Sequence, residues 1–205
     1  MKTRGRPKSD QKRRQILGAA VEHFLTEGYG ATSLDAIAKT AGVSKQTIYS
    51  HFEGKSALLE ECIQDRCRKG ILAAEALDFN ESPEQFLHSF AARFIDTLCD
   101  SDPINLWRLC AAECERNREI GEVYFNSGPR VVMDAVAHYL TLANERGELV
   151  VPDPTLAAAQ FLFIVKGLPV DTQILNLKRW PYSFSAQEYT EASVKLFLNA
   201  HRVCG

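Results

Sequence analysis

The sequence predicts an all-α protein of about nine to ten helices, with three in a small N-terminal domain and the rest in a larger all-helical domain. Two observations carry this prediction. Apolar residues recur at helical spacing, and from Ser82 onward no stretch alternates apolar and polar residues as a half-buried strand does. Residues such as Gly28, Pro83 and Pro129 stand where helix ends favour glycine and helix starts favour proline.

Composition and charge narrow the class of protein. With 45% hydrophobic and 24% charged residues, the 205-residue chain is neither disordered nor fibrous. The net charge is −2, but residues 1–55 carry +5 and the remainder carries −7. A basic N-terminal region followed by an acidic remainder favours nucleic-acid binding by the N-terminal region. We expect a cytoplasmic protein with no membrane partner and six reduced cysteines, since no apolar leader is visible and the apolar run at 156–165 is too short to cross a bilayer.

The first helix is expected from about Asp10 to Glu27, with Gly28 as its C-terminal cap. Before it, residues 1–13 form a basic arm without periodicity, which we interpret as flexible. Its RGRP stretch is similar to the core of an AT-hook, so Arg4 and Arg6 are candidates for insertion into a DNA minor groove. The alternative interpretation of the arm is a solubilising tail.

The stretch 33–52, SLDAIAKTAGVSKQTIYSHF, has the pattern of a helix-turn-helix. Two helices of about eight residues meet at Gly42, which suits a turn that needs positive φ. Thr32 and Asp35 are spaced as a capping box, and Ser44 is a good N-cap for the second helix. In this unit the second helix enters the major groove of DNA.

Polar side chains on the free face of the second helix are the predicted DNA contacts. Gln46 can pair with adenine, Lys45 can reach guanine, and the Thr47 methyl group can meet a thymine methyl group. Tyr49 and His51 more naturally donate to phosphate oxygens. The alternative is a solvated face on a short core helix. Together with the flanking residues, the predicted set is Thr32, Ser33, Ser44, Lys45, Gln46, Thr47, Tyr49, Ser50, His51 and Lys55.

A fourth helix is expected to start at Lys55 and to continue through Leu77. Its first amides and the Lys55 ammonium group are predicted to face a phosphate, because a helix N-terminus favours anions. Further helices are predicted near 82–100, 104–117, 120–125, 129–146, 154–174 and 185–201.

A ligand pocket is predicted among these later helices. An aromatic set spread over them can line a cavity for a small apolar or aromatic molecule. Cys110 and Cys114, four residues apart, lie on one helix face. They can be core residues, a thiol sensor or two ligands of a soft metal, and core packing is favoured. The predicted pocket set is Phe90, Phe94, Trp107, Cys110, Cys114, Phe125 and Phe163. No zinc spacing, phosphate-binding loop or nucleophile elbow is present, so we predict no cofactor, no metal and no enzyme.

The segments ILGAAVEHFLTEGYGATS, LDAIAKTAGVSKQTIYSHF and GKSALLEECI resemble the N-terminal domain of the TetR family of bacterial transcriptional regulators, in its AcrR-like branch. The resemblance covers Arg14–Ile63, and it implies that Tyr49, His51 and Lys55 contact DNA. LWRLCAAECERN, GPRVVMDAVAHYL and RGELVVPDPTLAAAQFLF resemble the C-terminal domain of the AefR-like group. There the family's phenylalanine-proline is replaced by Asn117–Arg118. This second resemblance implies an internal pocket and dimerisation through the last two long helices.

These expectations combine into a homodimeric repressor that binds double-stranded DNA at a palindrome and is released by a small-molecule effector. Residues 14–55 are the expected DNA-binding domain, and residues 56–205 the effector-binding and dimerisation domain. The predicted dimer interface comprises Phe161, Ile164, Val165, Val194 and Phe197. Two alternatives stay open: a thiol-redox regulator that uses Cys110 and Cys114, and an architectural DNA-binding protein without an effector.

Overall fold

The computed structural model describes residues 6–73 and 77–203, with the side chains of the first helix described from Asp10 onward. The described residues form ten α-helices and no strand, so the prediction of an all-α fold is confirmed. None of these helices is long and apolar enough to cross a membrane. The helices are α1 (Arg6–Glu27), α2 (Leu34–Ala41), α3 (Lys45–Tyr49), α4 (Lys55–Lys69), α5 (Pro83–Cys99), α6 (Ser101–Glu113), α7 (Arg118–Ser127), α8 (Pro129–Glu145), α9 (Pro154–Ile174) and α10 (Ala186–Ala200).

The chain divides into two compact units. Unit 1 comprises the residues up to Arg66 together with Asn105–Ser127, and unit 2 comprises Cys67–Ile104 and Gly128 onward. The predicted boundary between residues 55 and 56 therefore does not coincide with the boundary of the units. The reason is the core of unit 1, where side chains of α4, α6 and α7 are buried together with those of α1 to α3. Leu58 and Ile120 are two fully buried examples.

The first helix starts earlier than expected. It begins at Arg6, so residues 6–13 are helical and the prediction of a flexible arm over this range is wrong. Pro7 suits the first turn of a helix, and the lysine and arginine residues that follow are good helix formers. Arg4 lies outside the described residues, and only the backbone of Arg6 is described.

Helix α4 ends earlier than expected, at Lys69 and not at Leu77. Gly70 follows directly, and glycine is unfavourable in a helix interior. Leu77 and Phe79 nevertheless pack against the core of unit 2 from non-helical backbone.

The core of unit 2 is built around aromatic rings from α5, α8, α9 and α10. The rings of Phe86 and Tyr139 stack with their centroids 3.7 Å apart, and those of Phe86 and Phe90 are 5.8 Å apart. Phe161 and Phe197 meet edge to face at 5.0 Å, which joins α9 to α10. The Tyr139 hydroxyl group donates a hydrogen bond to the Glu81 carbonyl oxygen at 2.8 Å, so its polar end is satisfied inside the unit.

The predicted dimer residues are part of this core. Phe161, Val165, Val194 and Phe197 are all buried within their own chain, and only Ile164 is partly exposed. A side chain that is already buried has little surface left to contribute to an interface, so burial argues against a direct role for these four residues. Helices α9 and α10 are as expected, but their outward faces carry other residues.

Candidate nucleic-acid interface

Helix α2 is fixed at both ends by local hydrogen bonds. The Ser33 hydroxyl oxygen accepts a hydrogen bond from the Ala36 amide at 3.1 Å and caps the N-terminus. Gly42 caps the C-terminus at φ 65°, a left-handed conformation that a residue with a Cβ resists. The prediction for Gly42 is confirmed. The capping-box prediction named Thr32, but the N-cap of α2 is Ser33.

Thr32 is a structural residue and not a DNA contact. Its side chain is buried, and its hydroxyl group lies 2.7 Å from the Gly28 carbonyl oxygen and 3.1 Å from the His23 carbonyl oxygen. These bonds hold the turn between α1 and α2. A hydroxyl group that is occupied and shielded in this way cannot reach DNA, so this predicted contact is wrong.

Helix α3 has five residues, fewer than the eight expected, and starts at the predicted cap. The Ser44 hydroxyl oxygen accepts from the Thr47 amide at 3.1 Å. Ile48 is the one buried residue of α3 and anchors it to the core of unit 1. Gln46 and Tyr49 are exposed, and the Tyr49 side chain is 50% accessible. The helix therefore presents almost its whole surface to solvent.

Several of the predicted contacts have partners within the chain. Lys45 Nζ donates to Asp35 Oδ2 at 2.8 Å, and this bond raises the pKa of Lys45. The Ser50 hydroxyl group donates to the Thr47 carbonyl oxygen at 2.7 Å. The Gln46 amide has no hydrogen-bond partner within the described part of the chain. Gln46 is thus the most available base reader on α3, because it can pair with adenine without first breaking a bond.

Lys55 binds backbone carbonyl oxygens of its own chain. Its Nζ donates to the carbonyl oxygens of Tyr29 at 2.6 Å, Gly30 at 3.2 Å and Thr32 at 2.9 Å. It also lies 4.5 Å from the centroid of the Tyr29 ring. An ammonium group has three donors, and all three are used here. Burial lowers the pKa of Lys55. The geometry makes Lys55 a clamp on the turn between α1 and α2, and its phosphate contact stays a prediction.

Carboxylates from α6 and α7 lie beside this turn, which sequence spacing did not indicate. A Cβ added at Gly28 or Gly30 would come within 3.9 Å of Glu113 Oε1. The Ser56 hydroxyl group donates to Glu119 Oε1 at 3.0 Å. These partners are separated by more than sixty residues in sequence, so no local pattern could pair them. Lys39, also absent from the predicted set, is exposed in the last turn of α2.

The seven predicted pocket residues are divided between the two units. Phe90 and Phe94 are buried in the core of unit 2, whereas Phe163 is 66% exposed on α9. Four others belong to unit 1: Trp107, Cys110, Cys114 and Phe125. Trp107 and Phe125 are exposed there. The stacking of Phe90 between Phe86 and Phe94 explains why the aromatic spacing on α5 reflects core packing.

Cys110 has the environment of a core residue, and Cys114 is half-buried. Cys110 is buried, and burial raises the pKa of its thiol to about 12. The Cys114 thiol donates to the Ala111 carbonyl oxygen at 3.0 Å. A sensor needs a thiolate, which a raised pKa disfavours. No group of three or more potential metal ligands occurs among the described residues. The geometry therefore favours packing over redox sensing.

A capped helix-turn-helix with a polar, exposed second helix defines a DNA-binding protein. Comparison with known proteins places it more closely. The family description "Bacterial regulatory proteins, tetR family" matches residues 16–62. The description "AefR-like transcriptional repressor, C-terminal domain" matches residues 85–203, more than half of the chain. The chain belongs to the TetR family of transcriptional regulators, which are not enzymes.

Individual relatives agree with this assignment. The chain is 37% identical over 90 residues to the transcriptional activator FasR of Mycolicibacterium smegmatis, a match that covers 42% of this chain and 40% of FasR. It is 39% identical over 61 residues to the regulator AcrR of Shigella flexneri, covering 30% of this chain and 28% of AcrR. The chain thus spans less than half the length of these curated relatives.

Two solved structures match almost the whole chain. The flavonoid-responsive regulator FrrA is 30% identical, with a TM-score of 0.77 over 96% of this chain and 100% of FrrA. A TetR-family regulator from Mesorhizobium loti is 28% identical, with a TM-score of 0.75 over 98% of this chain and 100% of that protein. The complete helical arrangement of each unit therefore has counterparts in this family.

Proposed function

We propose that the protein is a homodimeric repressor that reads a palindromic operator with two copies of α3 and is released by a small apolar or aromatic effector. The observation that carries the proposal is α3 itself. It is capped by Ser44 and anchored by Ile48. It exposes the polar side chains of Lys45, Gln46 and Tyr49. A dimer of such units reads half-sites about one helical turn apart.

Within this proposal the exposed residues divide into base readers and phosphate contacts. Gln46 reads a base edge directly, and Lys45 does so after leaving Asp35. The Thr47 methyl group contributes an apolar contact. Tyr49, Ser50 and His51 donate to phosphate oxygens, and the first amides of α2, next to Ser33, face the same backbone. Phosphate contacts fix the register and base contacts set the specificity.

Substitution of Gln46 tests the proposal. An operator is first selected from a library of random duplexes. Gln46→Ala should then weaken operator binding by about 1–3 kcal/mol and leave binding to random DNA nearly unchanged. Gln15→Ala, at an exposed position of α1, is the matched control. Equal weakening on both kinds of DNA would contradict the assignment of Gln46 as a base reader.

Dimerisation is proposed through the outer faces of α9 and α10. Leu156 and Phe163 on α9 and Leu196 on α10 are each more than half exposed. A groove of about 400 Å³ lies between the two helices, lined by Gln160, Phe163, Ile164, Leu196, Phe197, Ala200 and His201. A long apolar face on two neighbouring helices is typical of an interface with a second copy. The proposed interface thus uses the two predicted helices but lies on their solvent-exposed faces.

A charge placed on this face tests the dimer. Phe163→Glu should yield monomers in sedimentation and lower operator affinity about 100-fold or more, because the two heads no longer bind as one unit. Val131→Glu, at an exposed apolar position on α8, is the control and should remain dimeric. An intact dimer of the Phe163→Glu variant would move the interface elsewhere.

An effector is proposed because the C-terminal description that matches this chain is that of AefR-like repressors and because FrrA is a flavonoid-responsive regulator. To move a population from 99% DNA-binding to 1%, an effector must prefer the released state by about 10⁴-fold. The flavonoid naringenin, titrated into the operator complex, is the first probe. Unchanged operator binding at saturating naringenin would exclude flavonoids as the effector class.

A further inference from the structure

One side chain in unit 2 has buried donors that no described residue satisfies. Arg93, on α5, has its Nε and Nη2 atoms buried, and neither has a hydrogen-bond partner. Within the described residues, no other buried side-chain nitrogen or oxygen atom is left in this condition. Buried polar groups are normally bonded, and a charged group left without an acceptor is costly. The two donors of Arg93 have no acceptor among the described residues.

The position of the two unsatisfied atoms on the guanidinium group identifies the shape of a partner that would satisfy them. The Nε–H bond and one Nη2–H bond lie parallel on the same edge of the planar group. This edge fits the two oxygens of a carboxylate, with one hydrogen bond to each. A single water or a lone carbonyl oxygen satisfies only part of the edge.

No carboxylate of the described residues lies within ion-pair distance of the Arg93 guanidinium group. Glu81 is close enough to act on the pKa of Arg93, yet no ion pair within 4.0 Å joins these two described residues. Burial is the larger influence and lowers the pKa of Arg93. The residue as a whole is half-buried, so its guanidinium group is shielded from water but not sealed within the core.

The same side of α5 supplies an apolar environment. Phe90 and Phe86 precede Arg93 by three and seven residues, spacings that place them on one side of a helix. Both rings belong to the stacked set in the core of unit 2. Arg93 therefore lies on the side of α5 that carries the apolar core residues of unit 2.

We infer that unit 2 binds a carboxylate-bearing apolar effector and that Arg93 is its counter-ion. This inference rests on the proposed function and adds the chemical class of the ligand. The carboxylate accepts from Nε and Nη2, and the aromatic or aliphatic remainder lies against apolar surface.

The inference is tested by matched pairs of ligands, without DNA. Cinnamate, 4-phenylbutyrate and decanoate are compared with their primary amides by calorimetry on the full chain. The wild-type protein should bind at least one of the acids about 10- to 100-fold more tightly than its amide. Arg93→Met should abolish that preference, and Arg93→Lys should retain only part of it. Arg179→Met, at an exposed position of unit 2, is the control and should leave it unchanged.

A second measurement uses acetate, a carboxylate without a large apolar group, and records the melting temperature. Acetate should raise the melting temperature of the wild-type protein more than chloride does at equal ionic strength, and should have no such effect on Arg93→Met. The ligand-free Arg93→Met variant should melt no lower than the wild type, because it removes an unsatisfied charge. A lower melting temperature would show that the guanidinium group serves the fold and would overturn the inference.

Two other results would also overturn it: a wild-type protein that does not prefer any acid to its amide, and a preference that survives in Arg93→Met. Operator binding is measured separately. A chain that binds no operator refutes the proposed function while leaving a carboxylate site standing. A chain that binds its operator but shows no carboxylate preference refutes the inference alone.

Discussion

Helices α3 and α9 carry the two surfaces that are proposed to bind a partner, and these surfaces have opposite chemistry. Helix α3 buries only Ile48 and turns polar side chains outward. Helix α9 buries eight of its 21 residues and still exposes Leu156 and Phe163. A polar face can be exposed to water or bind DNA at little cost. A helix with apolar residues on two opposite sides needs an apolar contact on each side. The first surface suits reversible binding, and the second suits a lasting assembly.

The two faces of α9 can be separated by paired alanine substitutions. Phe161→Ala, in the core, should lower the free energy of unfolding by about 3–5 kcal/mol. Phe163→Ala, on the outer face, should change the stability of the monomer by no more than about 0.5 kcal/mol. Urea unfolding at several protein concentrations distinguishes the two, because only Phe163→Ala should change the concentration dependence. Similar losses of monomer stability in both variants would remove the distinction between the faces.

A smaller loss of stability is expected when Lys55, the clamp on the turn between α1 and α2, is substituted. Lys55→Met should lower the stability of the protein by about 1–3 kcal/mol, since it leaves three carbonyl oxygens without their donor. The salt dependence of DNA binding should stay the same, whereas loss of a phosphate contact would reduce the slope by about one. Lys39→Met, at an exposed position of α2, serves as the control for stability. A reduced slope with normal stability would support the phosphate role of Lys55.

The smallest effect is expected at the ion pair between Lys45 and Asp35. Both side chains are exposed, so a double-mutant cycle with alanine should give a coupling energy of about 1 kcal/mol or less. The coupling should weaken further as salt is added. A larger coupling would mean that Lys45 is held on α2 and is not available to a base edge.

The same contrast explains how far the sequence could predict the structure. In the helix-turn-helix, caps, glycine and one polar face agree, and so the predictions for Ser44 and Gly42 are confirmed. Helix α9 is apolar on more than one side, and periodicity alone cannot decide which side faces the core. Phe161 was therefore predicted at the interface, and the exposed Phe163 in the pocket. The clamp formed by Lys55 could not be predicted, because its carbonyl partners lie more than twenty residues away and a bond to a backbone oxygen has no sequence pattern.

The dependence of α3 on a single buried residue has a consequence for how its specificity can change over time. Since only Ile48 ties the helix to the core, the other positions can be substituted with little loss of stability. A duplicated copy of this gene could thus acquire a new DNA target through one or two surface substitutions while its fold is maintained. The same freedom makes α3 a practical target for engineering altered operator specificity, with Ser44 and Ile48 left in place.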